Sequence, residues 1–267
     1  TTQPLQPDTP DFLPPLKDGA PRNRLGLAQW MADPANPLTP RVAVNALWQS
    51  LFGVGLVKTT EDFGVQSTPP ANPALLDHLA LHFVESGWNI KAMLKTLVTS
   101  ATYRQSSTVS EALLAADPEG LLYSRAPRFR LSAETVRDTM LSTSGLLQKR
   151  LGGPSVMPYQ PDKLWDELAG GAGQGPYVQS HGPDLYRRSL YTYRKRTVPH
   201  PTLTAFDAPS FEKCLVRRGR TNTPLQALAL LNGPTYIEAA RNLAQRMMAE
   251  AQGDPRERIA YGFRLTT

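Results

Sequence analysis

The chain has 267 residues, 40% of them hydrophobic and 19% charged, with a formal net charge of +6. That balance excludes a disordered chain, and the length suffices to bury about three quarters of the unfolded surface without disulfide or metal staples. The single cysteine, Cys214, excludes internal disulfides, thiolate zinc sites and c-type haem attachment within this chain, and no apolar run of 18 residues is present to span a membrane.

Residues 1–20 are proline-rich and are expected to form an extended linker that precedes a single helical domain over 21–267. They lack the basic and apolar regions of a signal peptide, so any export address is expected upstream. Thr39-Pro40, Asn72-Pro73 and Thr223-Pro224 each pair a capping side chain with proline at the first helical position, where the missing N–H is harmless. Apolar residues then recur at helical spacing. Val44, Leu47, Trp48 and Leu51 form one stripe, and Leu76, Leu79, Ala80 and Phe83 a second. Ile90, Met93, Leu94, Leu97, Val98 and Ala101 form a third behind the cap Asn89.

A further helix is predicted over Ala133–Lys149, capped by Ser132, and a short one over Lys163–Ala169. A long helix after Asn232-Gly233-Pro234 is expected to bury Ile237, Ala240, Ala244, Met247 and Ala251. The expected fold class is mostly α: an irregular multi-helix bundle, helices from both ends packed together, with a loop-rich insert over about 152–220 that contains a little β structure. Within the insert, LYRRSLYTYRKR is expected to be a short strand or an extended loop. A stretch of this length without clear helical period is often functional.

The charge excess is local. Residues 181–220 hold nine Lys and Arg against three Asp and Glu, leaving twenty of each elsewhere.

Long segments carry a resemblance to a known family. They include NRLGLAQWMADPANPLTPRVAVNALWQSLFGVGLV near the start, PRFRLSAETVRDTMLSTSGLL in the middle, and LYRRSLYTYRKRTVPHPTLTAFDAPSFEKCLVRRGRTNTPLQALALLNGPTYIEAARNLA towards the end. From Asn23 onward the chain resembles the planctomycete-specific PSD-one domain, a domain of unknown function. The resemblance implies a C-terminal position in large exported bacterial proteins, periplasmic or at the cell surface, often with an upstream c-type cytochrome domain. It also implies organisms rich in polysaccharide-degrading enzymes. It supplies no catalytic residues.

The candidate ligand-binding residues are Arg187, Arg188, Tyr191, Tyr193, Arg194, Arg196, Arg217 and Arg218. Guanidinium forks bind sulfate, phosphate or carboxylate through paired hydrogen bonds, and aromatic faces stack on sugars. An anionic or neutral polysaccharide is a candidate partner, while the plainer reading, in which these arginines pair with neighbouring carboxylates, requires less coincidence. The upstream cytochrome domain is a second candidate partner through electrostatic docking. Nucleic acid is disfavoured because no known motif for it is present.

Asp207 and Glu212 are candidate acid and base for glycoside hydrolysis, with His181 and His200 as possible helpers. This gives a polysaccharide-acting hydrolase as the alternative function. His78, His82 and Glu85 have metal-ligand spacing on a helix but read as surface residues, and Cys214 reads as a small buried hydrophobe. No metal and no cofactor are expected. The Gly170–Gly175 run reads as a hinge, since it lacks the Lys-Ser/Thr of a phosphate-binding loop.

Overall fold

The computed structural model describes residues 7–165, 176–251 and 253–267, and ten α-helices and two 3-10 turns lie wholly among the described residues. The described residues contain no sheet. Two isolated parallel bridges, Gln148 with Arg187 and Val156 with Thr192, are the β structure of the insert. The helix expected over Lys163–Ala169 lies mostly, and the Gly170–Gly175 run wholly, outside the described residues. The contacts group into two compact units, residues 1–129 and 130–267.

The first unit holds α1 (Arg24–Met31), α2 (Leu38–Phe52), α3 (Pro73–Glu85), α4 (Ile90–Thr99) and α5 (Glu111–Ala116). Residues 7–20 lie along α1, where the Trp30 indole donates to the Pro14 carbonyl at 2.6 Å and Lys17 pairs with Asp33. Asn72 and Asn89 cap α3 and α4 through their side chains, as the sequence implies. The start of α2 differs. Asn36, not Thr39, accepts from the Leu38 and Thr39 amides, and the helix begins one residue before the Thr-Pro pair. Val44, Trp48, Leu76, Leu79, Phe83, Met93 and Leu97 make the core of this unit, with the Trp48 and Phe52 rings stacked at 4.0 Å. Ile90, expected inside, is exposed.

The second unit holds α6 (Ala133–Thr143), 3-10 turns at Gly182–Tyr186 and Ser189–Tyr191, α7 (Pro201–Ala205), α8 (Pro224–Asn232), α9 (Pro234–Glu250) and α10 (Pro255–Thr266). Ser132 caps α6 as expected, but the helix stops at Thr143 rather than Lys149. Gly145 turns into the left-handed region (φ 81°), and the Leu147 amide reaches back to the Leu141 carbonyl. A capping box starts α8, with Thr223 and Gln226 bonding each other's backbone amides. The buried face of α9 is Tyr236 and Ala239, one step round from the predicted stripe, and Ile237 is exposed. Tyr236 joins Ala133, Leu203 and Phe206 in the core of this unit. The segment LYRRSLYTYRKR is therefore neither a strand nor featureless: two short 3-10 turns buckle it.

Candidate functional site

The basic segment packs against α6 with its polar residues inward. Leu185, Arg187 and Ser189 are buried, while Leu190 faces out. The reason is Arg137, a buried α6 residue whose guanidinium donates to the carbonyls of Leu185 (2.7 Å) and Arg187 (2.9 Å) and to the Ser189 hydroxyl. Burial lowers the Arg137 pKa, an effect that Asp138, 3.9 Å away, opposes. Asp138 in turn accepts the Ser189 amide at 2.7 Å. One polar patch on α6 thus sets the register of the whole segment.

Arg187 has an inward role too. It is 1% exposed. Its guanidinium donates to the carbonyls of Arg150, Gly152 and Pro154 and lies 3.7 Å from the centre of the Tyr191 ring. The Tyr191 hydroxyl accepts from the Gly152 amide at 2.8 Å. Arg187 and Tyr191 therefore tie down the 150–154 loop, with no donor of Arg187 facing solvent. Arg188 points outward and sits 3.8 Å from Asp138. Tyr193 is half-exposed beside Trp165, whose ring also carries the buried Lys195 ammonium at 4.1 Å.

Arg194, Arg196 and His200 meet at a pocket of about 110 Å³. Its walls are Leu203, Pro199, Ala208, Pro209 and Phe211, with Thr204 and Ser210 supplying hydroxyls. Arg194 stacks on the Phe211 ring at 3.8 Å and approaches Glu134 at 3.4 Å, and Arg218 pairs with the same carboxylate at 2.7 Å. Partial burial opposes it, but hydrogen bonding to its own backbone and the Arg218 and Arg194 charges hold Glu134 below its usual pKa. Arg196 and Arg217 are exposed, and no carboxylate among the described residues lies within ion-pair distance of either. The His200 Nε2 lies 2.9 Å from the Tyr159 carbonyl oxygen. Since a carbonyl only accepts, Nε2 carries the proton. Burial pulls this imidazole down to about 4, so it is neutral at neutral pH.

The pocket is roofed by a segment whose ends are knotted. Asp207 accepts from the Thr221 amide (2.7 Å) and hydroxyl (2.9 Å), and from Arg130. Arg130 also donates to the carbonyls of Thr221 and Phe206, and Gln226 reaches both Thr221 and the Ala205 carbonyl. Between those ends, residues 210–220 are exposed without a break, including Phe211, Lys213, Leu215, Val216, Arg217 and Arg218. This is the geometry of an Ω-loop, a compact surface loop with joined ends. Asp207 and Phe211 both take positive φ, 61° and 62°, which costs a non-glycine residue about 1–2 kcal/mol.

The four proposed catalytic residues sit in different surroundings. Burial raises the Asp207 pKa only to be outweighed by the Thr221 and Arg130 bonds, which hold the carboxyl below its usual range. An acid so held is a poor proton donor at neutral pH. Glu212 is exposed, with its amide directed to Ser210 at 3.4 Å, and His181 is an exposed residue preceding the first 3-10 turn. Cys214, expected to be buried, is exposed because it lies at the middle of the loop. His78, His82 and Glu85 face solvent on α3, and no metal-holding group of three or more His, Cys, Asp or Glu occurs among the described residues.

The family PSD1, described as a protein of unknown function (DUF1553), matches residues 23–267. The chain belongs to the PSD1 family. No curated protein and no solved structure matches it. The PSD1 match takes in the whole of the pocket, the loop and the residues that knot it. Among the described residues, no helix is long and apolar enough to cross a membrane.

Sequence reasoning missed Arg130, Glu134, Arg137 and Thr221. For Glu134 and Arg137 the signal was present in SAETVRD, which places acids and an arginine on a helix with few apolar residues; for Arg130 and Thr221 there was no local signal. A helix that polar, yet followed by packed structure, must bury some of its charge.

Proposed function

We propose that this PSD1 domain is a non-catalytic binding module of an exported, cytochrome-linked protein, and that the face formed by the 207–221 loop captures anionic polysaccharide. The observation that carries this reading is the loop itself. Its ends are fixed by Asp207, Arg130 and Thr221, while Arg217 on the loop and Arg196 in the pocket lining are exposed with no carboxylate partner among the described residues. Fixing a loop before binding lowers the entropy lost on capture, and unpaired guanidinium groups supply the forks that sulfate or carboxylate needs. Exposed Tyr193 adds an aromatic face on the same segment. The hydrolase reading gains nothing from Asp207, whose carboxylate is fully engaged.

Affinity electrophoresis tests the proposal. Gels containing neutral, carboxylated or sulfated polysaccharide are run at low and high salt. Retardation by the charged polymers that fades with salt, and that drops in Arg196→Ala/Arg217→Ala, is the expected result. Equal migration in every gel would remove the reading.

A further inference from the structure

The pocket under the loop does not match a bare anion. Its interior is walled by Leu203, Pro199, Ala208, Pro209 and the Phe211 ring, and its cations, Arg194, Lys195 and Arg196, are consecutive residues of the segment that leads into it. At about 110 Å³ it is well below the ~300–1,000 Å³ of sites that enclose whole small molecules, so it receives a substituent rather than a complete sugar ring. The substituent has a definable chemistry. An apolar chamber favours a methyl group over a hydroxyl, because a hydroxyl buried without a partner loses its hydrogen bonds to water.

Polar groups complete the picture. The Thr204 hydroxyl is occupied, donating to the His200 carbonyl at 3.1 Å. The Ser210 hydroxyl accepts from the Glu212 amide at 3.4 Å and so retains its own proton to give. This hydroxyl beside an apolar wall, with the exposed Arg196 guanidinium in the same lining, matches a carbonyl attached to a methyl group next to an anion, which is an acetyl substituent on an acidic sugar.

Resting on the proposed capture of anionic polysaccharide, we infer that this pocket is an acyl subsite. It takes the acetyl group of an acetylated acidic sugar, with the methyl among Leu203, Ala208 and Phe211, the carbonyl on Ser210, and the sugar's carboxylate or sulfate at Arg196. The inference narrows the ligand class from polyanions in general to acidic glycans that carry acyl groups.

Alginate oligosaccharides with and without chemical O-acetylation are matched in carboxylate number, and isothermal titration of the full chain with each separates the two ideas. The expected result is a dissociation constant lower by about fourfold or more for the acetylated form, the effect of burying one methyl group. Ser210→Trp, which fills the pocket from its exposed rim, erases that preference, and Ser210→Ala reduces it by removing the donor. Equal affinity of the wild-type chain for both forms overturns the acyl subsite and leaves anionic capture standing. A preference that survives in Ser210→Trp also overturns it. Binding of neither form removes anionic capture and the subsite together, and tighter binding of a Glu–Leu copolypeptide than of either oligosaccharide overturns the assignment to sugars.

Discussion

Asp207 holds Thr221 by both its amide and its hydroxyl, at 2.7 Å and 2.9 Å, across fourteen positions of chain. Arg130 completes the knot by donating to the Asp207 carboxylate and to the Thr221 carbonyl. The exposed segment between them has no core of its own, so its conformation depends on these bonds, on the Arg218–Glu134 pair and on the stack of Arg194 on Phe211.

Asp207→Ala should therefore release the loop before it unfolds the unit. It leaves the mostly buried Arg130 guanidinium without its anion and the Thr221 donors without an acceptor, a loss of roughly 2–3 kcal/mol. Asp207→Asn keeps some of the bonds and tolerates the positive φ, so its effect is smaller. Limited trypsin digestion provides the check. Cleavage after Lys213, Arg217, Arg218 or Arg220 should accelerate in the alanine variant while the circular dichroism of the helices is retained. Unchanged cleavage would show that the knot does not control the loop.

Arg187 and Arg188 are adjacent and opposite in role. Arg187→Ala removes a buried cation and strips three loop carbonyls of their donor, which should lower stability by roughly 3 kcal/mol. Arg188→Ala removes only a long, solvent-exposed ion pair and should change stability by less than about 0.5 kcal/mol. Urea midpoints of the two variants distinguish these outcomes.

The legible parts of this fold were those where one local signal decides the structure. Asn72, Asn89, Ser132 and Thr223 cap their helices because a side-chain oxygen can reach an unpaired amide within the same turn. The phase of α9 was misread because alanines define no face of their own. Tyr236, which packs on Phe206 and Leu203, sets the rotation instead. Arg187 was misread for a related reason. A charged residue in sequence is assigned to solvent by default, and only the three carbonyls of a loop more than thirty residues away reverse that. The clustering of positive charge in the 181–220 stretch was visible, but its division into inward Arg187, paired Arg194 and Arg218, and projecting Arg196 and Arg217 was not. That division depends on Glu134, which sits fifty residues or more before the arginines it meets.

His200 gives the second unit a sensitivity to acid. Its pKa is 6.5 unfolded and about 4 folded, because burial disfavours the charged ring. Between these values the unfolded chain binds the extra proton, so stability rises with pH from about 4 to 6.5 and is lost as the pH falls through that window. The full shift corresponds to a loss of about 3 kcal/mol between neutral pH and pH 4. In His200→Gln this component of the pH dependence should vanish. Denaturant titrations of both proteins at pH 7 and 4.5 measure it, and a difference between them that stays constant with pH would contradict the buried, neutral imidazole.

Glu134 competes inside the molecule for the arginines that an anionic ligand would use. It lies between Arg194 at 3.4 Å and Arg218 at 2.7 Å. Neutralising it in Glu134→Gln leaves the Ser132 cap intact and frees both guanidinium groups for an external carboxylate or sulfate. Affinity for an acidic polysaccharide should then increase several-fold at low salt, and the gain should shrink as added salt screens the exposed charges. Arg196→Ala should act in the opposite direction, because its guanidinium has no carboxylate partner among the described residues to lose. A ligand held by the arginines requires both signs of change. If the face were only an ion-paired surface with no ligand, neither variant would alter retention in a polysaccharide gel, whereas both would still fold.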